Sequence, residues 1–284
     1  MEQARPSRTA LRVALRRAAH QIYDAQPLVF DDPVAVPMLG PHAEELERTP
    51  GRNALLKPRP FSISLRAFLV ARSRYAEDLL AHAAERGVTQ YVLLGAGLDT
   101  FAHRNPYPSL RVFEVDHPAT QQWKRELLLS SALPAPANLV YVPLDFERQS
   151  LAEQLHAAGF DASLPSLFAW LGVVPYLTLD SFRATLRFIS AQPTASGVVF
   201  DYGQPRAVLT PHEQLARDSL ASRVQLAGEA FQLFFTPAEI VAELAAFRDL
   251  EDIGSTGINA RYFAGRSDGL KVMGSAGRLV SAWL

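Results

Sequence analysis

The chain has 284 residues, with 28 basic against 29 acidic, a net charge of −1, 48% apolar and 20% charged residues, and no cysteine. That length suits one large domain, or a domain with a cap, and the composition is that of a folded globular chain and not a disordered one. Balanced charge argues against a nucleic-acid surface, and the missing cysteine excludes disulfides, thiolate nucleophiles and metal–thiolate sites while fitting a reducing cytoplasm. No run approaches the roughly 18 uninterrupted apolar residues of a spanning helix, so no membrane partner is expected. Lysine occurs only at 57, 124 and 271, so nearly all the positive charge is arginine, which reads as codon usage and not as chemistry.

In residues 9–25, Leu11, Ala14, Leu15, Ala18 and Ile22 keep helical spacing, with arginines largely on the other faces. This predicts a solvated helix packed on the domain, with no cleavable signal. From Pro27 to Pro60 runs a loop-rich tract with seven prolines. Residues 62–86 carry a long helical pattern that stops at Gly87, a C-cap candidate. Five strand-like runs follow, at 91–95, 111–116, 139–145, 167–173 and 197–201, separated by helical stretches at 118–131, 150–159 and 178–192. Near-continuous apolar strands alternating with helices predict a parallel sheet covered on both faces. Ser150 with Glu153, Thr236 with Glu239, and Thr178 mark helix starts. After Gly203 the alternation breaks into a polar helix at 211–228 and an amphipathic one at 236–247, and two late strands at 250–255 and 278–284 fit an antiparallel hairpin at a sheet edge. The expected fold is α/β, a doubly wound Rossmann-like sheet, with an N-terminal helical layer (residues 1–86) and a core (87–284) carrying a helical insertion at about 204–236.

Four features point to a ligand. The first strand runs into Gly95-Ala-Gly97, a tight turn that admits close approach to a flat or anionic group, although Thr100 stands where a dinucleotide fingerprint has its third glycine. Asp116 ends the second strand nineteen residues beyond Gly97, the spacing at which a carboxylate meets ribose hydroxyls, or else it caps the helix opened by Pro118. Asp145 and Phe146 end the third strand, an acid that can accept from an adenine amino group with a ring to cover the base, or else an acid that caps, although Ser150 already marks the next helix start. Arg72 falls inside the apolar stripe Leu65, Phe68, Leu69, Tyr75, Ala76 and Leu80, while Arg66 and Arg74 lie off it. A guanidinium on a buried face needs an anion, either a structural acid such as Asp99 or a ligand carboxylate.

Leu-Gly-Ala-Gly-Leu-Asp-Thr (94–100), Phe-Glu-Val-Asp-His-Pro (113–118) with Lys124, and Gly-Val-Val-Pro-Tyr-Leu-Thr (172–178) resemble the leucine carboxyl methyltransferase family. So do Phe-Gln-Leu-Phe-Phe-Thr-Pro-Ala-Glu (231–239) and Ala-Arg-Ser-Arg-Tyr (71–75), in the family's order over nearly the whole chain. The resemblance implies a class I methyltransferase sheet, S-adenosyl-L-methionine as cofactor and a small-molecule methyl acceptor. It implies that Arg72 binds the cofactor's carboxylate, Gly95 and Gly97 form the turn beneath it, Asp116 holds the ribose, and Asp145 and Phe146 flank the adenine. Leu171 stands where many members carry glutamate.

His20, Tyr23, Tyr176, Phe231, Phe234 and Phe235 are candidates to line the acceptor pocket, with core packing the stronger expectation for the aromatics, and no catalytic base is assigned to His103 or His117. Two other functions share these motifs: a nicotinamide oxidoreductase, and a non-catalytic protein that binds an adenosyl ligand.

Overall fold

The computed structural model describes residues 7–46, 60–146, 148–225, 228 and 230–284. It contains seven strands among these residues, β1 (Gln90–Leu94), β2 (Arg111–Asp116), β3 (Leu139–Pro143), β4 (Ser166–Trp170), β5 (Gly197–Gly203), β6 (Arg248–Ile253) and β7 (Gly277–Trp283). They form a single sheet in the order β3-β2-β1-β4-β5-β7-β6. The first five are parallel, and β7 pairs antiparallel with both β5 and β6. The order reverses between β1 and β4, which opens a crevice at the carboxyl ends of those two strands.

Every residue of β1 and β4 is buried, because helices cover both faces. On one face, Tyr91, Leu93, Val112 and Val199 pack under the long helix α2 (Pro60–Glu85) and under α8 (Ser255–Tyr262). On the other, Val92, Phe113, Phe168 and Val198 meet α4 (Leu151–Ala157), α5 (Leu179–Ser190) and α7 (Pro237–Glu243). Trp170 stacks on Phe182 of α5 at 5.5 Å between ring centroids. A third cluster joins α1 (Arg8–Tyr23) to α3 (Pro118–Ser130) through Ala14, Ala18, Leu39 and Leu127. The helix α6 (Pro211–Gln225) completes the elements after β5.

The starts of these helices follow the expected caps. Thr178 accepts from the Ser181 amide at 3.2 Å, and Thr236 and Glu239 form a reciprocal capping box. Three expectations are corrected. The third and fourth strands end at Pro143 and Trp170, short of 145 and 173, so Asp145 and Phe146 lie in the loop beyond β3. The two late strands are not joined by a tight turn, since α8 intervenes. Within the loop-rich tract, Pro37–Leu46 forms a kinked 3₁₀ segment, broken where Gly40 adopts φ +50°, while residues 47–59 lie outside the described residues.

Behind the sheet's crevice, the Lys124 ammonium is 1% exposed and donates to Glu114 and to the Asp99 carbonyl, each at 2.6 Å. Removing one partner of a buried pair strands the other charge. Lys124→Met should therefore lose about 3–5 kcal/mol of stability in urea denaturation, and adding Glu114→Leu to it should recover a large part of that loss.

Candidate functional site

The turn after β1 is built from backbone bonds and one carboxylate. The amides of Gly95 and Ala96 both donate to the Val115 carbonyl, at 2.8 and 3.1 Å, which folds the chain sharply over the end of β2. Asp116 then accepts from the Gly97 amide at 2.5 Å and from the His117 amide at 2.7 Å. Burial pushes its carboxyl above the usual aspartate range, against the pull of those two amides. Asp116 is thus not the cap of α3. That role falls to His117, whose Nδ1 accepts from the Ala119 amide at 3.2 Å.

Gly95 has φ +68°, and a Cβ there would run into Val173 Cγ2. The turn after β1 and the loop after β4 therefore touch across the crevice. The next residue back, Gly172, has φ +74°, and a Cβ on it would sit 2.7 Å from the Arg72 guanidinium. Its amide donates to Asp201 Oδ1 at 2.5 Å, and Arg72 Nη1 donates to Asp201 Oδ2 at 3.1 Å. Arg72 is 7% exposed, so its helical phase does place it inside, but its acidic partner is Asp201, two residues before the end of β5, and not Asp99. Asp99 is paired instead with Arg17, at 3.3 Å.

One contiguous floor results, running from Asp116 and Gly97 through Gly95 and Val173 to Gly172, Arg72 and Asp201. Asp145 and Phe146 stand beside it, because the Leu144 amide donates to the Asp116 carbonyl at 2.9 Å. The Asp145 carboxylate lies 3.6 Å from exposed Arg148, and Phe146 is half-buried against the α5 side of the core.

Arg72, Gly172 and Asp201 also close the inner end of a cavity of about 440 Å³. Its walls come from α1, α2, α6 and the segment 231–234, with Leu65, Phe68, Leu69, Tyr176, Phe231 and Phe234 among the lining residues. Tyr176, Phe231 and Phe234 thus stand where the sequence suggested. Three other candidates do not. His20 is fully buried beneath α1, between Asp24 at 2.7 Å and the Phe30 amide at 3.3 Å. Tyr23 donates to the Leu46 carbonyl, and Phe235 packs on Phe182 in the core.

The matching protein-family model is leucine carboxyl methyltransferase, over residues 10–190. The chain belongs to that family. A Bacillus subtilis relative bearing the name S-adenosyl-L-methionine-dependent methyltransferase YktD is 32% identical, with 95% of each chain covered. A Mycolicibacterium vanbaalenii relative named in the same way is 31% identical over 74% of this chain and 73% of its own. The fold is that of a methyltransferase crystal structure from Thermobifida fusca, with a TM-score of 0.58 and 18% identity, covering 99% of this chain and 96% of that one.

Leu171, where the resemblance leads one to expect glutamate, is half-buried against the α2 side of the core. Asp201 brings a carboxylate to the same loop from the neighbouring strand. It was missed in the sequence, although it carries the signal read for Asp116, an acid ending an apolar strand. Gly95→Ala is expected to lower the thermal midpoint through both the positive φ, about 1–2 kcal/mol, and the collision with Val173. Val173→Ala in the same chain should restore part of the midpoint by removing only the collision.

Proposed function

We propose that this chain transfers a methyl group from S-adenosyl-L-methionine to an oxygen of a small-molecule acceptor held in the 440 Å³ cavity. The observation that carries this reading is that Arg72, Gly172 and Asp201 belong both to the floor at the sheet's crevice and to the inner end of the cavity. A ligand on the floor and a ligand in the cavity would meet there.

The donor set suits the cofactor. Arg72 would take its carboxylate and Asp201 its ammonium, while Asp116 would hold the ribose hydroxyls and Asp145 and Phe146 the adenine. When bound, the cofactor supplies a sulfonium-activated methyl. The chain's own task is to orient the acceptor oxygen toward the inner end of the cavity and to keep water out. Residues 1–86 would serve as the covering layer, and 87–284, with the insertion at about 204–236, as the cofactor-binding unit.

Glu213, Tyr202 and Asp201 at the cavity wall are poorly placed to act as bases, which favours an acceptor that arrives ionised, a carboxylate before an alcohol or phenol. Burial works against charge on Glu213, yet hydrogen bonds from Thr210 and Ser275 hold its carboxyl down to about 2, so it is a poor proton acceptor near neutrality. The Tyr202 hydroxyl donates to Asp252, and burial pushes it up. Asp201 is committed to Arg72 and the Gly172 amide.

In thermal-shift titrations, S-adenosylmethionine and S-adenosylhomocysteine should raise the midpoint, by about 2.7 kcal/mol of stabilisation at a hundredfold excess over Kd, and NAD(P)H should not. A shift with the nicotinamide alone would overturn the reading in favour of an oxidoreductase, and binding without methyl transfer to any of a set of acids and phenols would favour a non-catalytic protein. Arg72→Lys keeps a positive charge beside Asp201 but loses the planar fork, so cofactor affinity should fall about tenfold in calorimetry with the fold retained. Asp116 should shape the acid limb of binding. Its carboxyl is raised in the folded protein, so it takes up a proton at a higher pH than an ordinary aspartate. Cofactor affinity should accordingly begin to fall above the usual aspartate range as pH is lowered, and Asp116→Asn should be weak at every pH.

A further inference from the structure

The outer part of the cavity is unusually rich in arginine. Arg12, Arg16, Arg217 and Arg223 line it in addition to Arg72. The two acids in the lining, Asp201 and Glu213, are already engaged by Arg72, Gly172, Thr210 and Ser275. Among the described residues none of the four outer arginines has a carboxylate within salt-bridge distance.

Three of them gather where α1 meets α6. Arg12 donates to the Arg223 carbonyl at 3.1 Å, Arg16 donates to the Arg12 carbonyl at 3.1 Å, and Arg223 donates to the Ser219 carbonyl at 3.0 Å. Each satisfies a neutral backbone oxygen, and none neutralises another. Burial, with the charges of Arg223, Arg12 and Arg66 around it, brings Arg16 down to about 10. The fourth, Arg217, lies 3.9 Å over the Phe234 ring, and its Nη1 is buried with no hydrogen-bond partner. A buried donor left unmade is costly and calls for an explanation. Arg223 is exposed, but Arg12, Arg16 and Arg217 are half-buried, and elsewhere buried or half-buried arginines are matched with acids, as in Arg66 with Asp24, Arg104 with Glu77 and Arg278 with Asp252.

Arg72 stands on α2 and the cluster on α1 and α6, and the same cavity wall carries Leu65, Phe68 and Leu69.

We infer that the acceptor is an amphipathic anion whose acidic group, separate from the oxygen that is methylated, is held by Arg12, Arg16 and Arg223 at the α1–α6 end of the cavity. Its apolar body lies along Leu65, Phe68 and Phe234, and Arg217 supplies a further donor over the ring of Phe234. The inference rests on the methyltransferase reading for the words acceptor and methylated, but the anion site stands or falls by itself.

A pair of fluorescent probes tests it. Anilinonaphthalenesulfonate and phenylnaphthylamine share one apolar skeleton and differ in the sulfonate. The anion should bind the wild-type chain about tenfold more tightly than the neutral probe, and added salt should narrow that margin. Arg16→Gln with Arg223→Gln should abolish the preference, leaving the neutral probe's affinity unchanged, whereas exposed Arg187→Gln should keep it. Displacement by decanoate, decyl phosphate and decanol then separates a carboxylate from a phosphate preference, with decanol the weakest competitor. Because the cluster repels itself, the double variant should melt no lower than wild type, an outcome that a purely structural role would reverse. Equal affinity for the two probes, failure of both to bind, or an unchanged preference in the double variant would overturn the inference. S-adenosylhomocysteine binding, measured separately by calorimetry, should be unaffected by the double variant. Its absence from the wild type would remove the cofactor reading while the probe experiment still decided the anion site.

Discussion

The turn and short helix from Gly95 to Arg104 depend on charge buried around them. Lys124 holds the Asp99 carbonyl from α3, Arg17 holds the Asp99 carboxylate and the Leu98 carbonyl from α1, and Asp32 accepts from the Thr100 hydroxyl at 2.6 Å. Arg104 closes the circuit with a bidentate pair to Glu77 of α2. A polar loop at the mouth of a crevice cannot be held by apolar packing alone, since its amides and carboxylates must be satisfied before they can be buried. Here those partners come from three different helices and the loop after α1 that carries Asp32. The N-terminal helices are consequently tied to the sheet through the very segment that forms the candidate cofactor floor.

The same circuit explains which parts of the molecule were legible in the sequence. β1 and β4 announce themselves because both faces are covered, so their residues are apolar without alternation. Thr178 and Thr236 mark helix starts because capping is a bond over three residues. Gly95, Gly97 and Asp116 were found together because the chemistry is local to two adjacent strands. Long-range pairing is not written in spacing. Arg17 and Arg66 looked like surface by helical phase, yet each is buried against an acid, Asp99 and Asp24, distant in sequence. Arg72 was correctly placed inside, but its partner, 129 residues away, was not identifiable from periodicity. His20 was misplaced for a related reason. Its ring is consumed by Asp24 at one nitrogen and by the Phe30 amide at the other, so it holds α1 to the following loop and does not face the cavity.

Leu171 follows the same logic at the site itself. Its side chain joins the α2 side of the core, and the carboxylate at that loop comes from Asp201. A carboxylate delivered from a buried strand end is fixed by the sheet, and it meets Arg72 from α2 and the Gly172 amide from the loop at once. The inner end of the cavity is therefore electrically balanced and well bonded. Such a site can discriminate by geometry, because a misplaced ligand would leave buried groups unpaired.

The outer end obeys the opposite rule. Among the described residues Arg12, Arg16 and Arg223 bond backbone carbonyls and have no acid within salt-bridge distance, and Arg217 keeps a buried nitrogen without a hydrogen-bond partner. By contrast, Arg17, Arg66, Arg72, Arg104 and Arg278 each have an acid within salt-bridge distance. Cations held close together repel one another, and an anion bound among them would relieve that repulsion. The methylating end would then be selective for shape and the far end for charge. An acceptor must satisfy both to lie along the 440 Å³ between them.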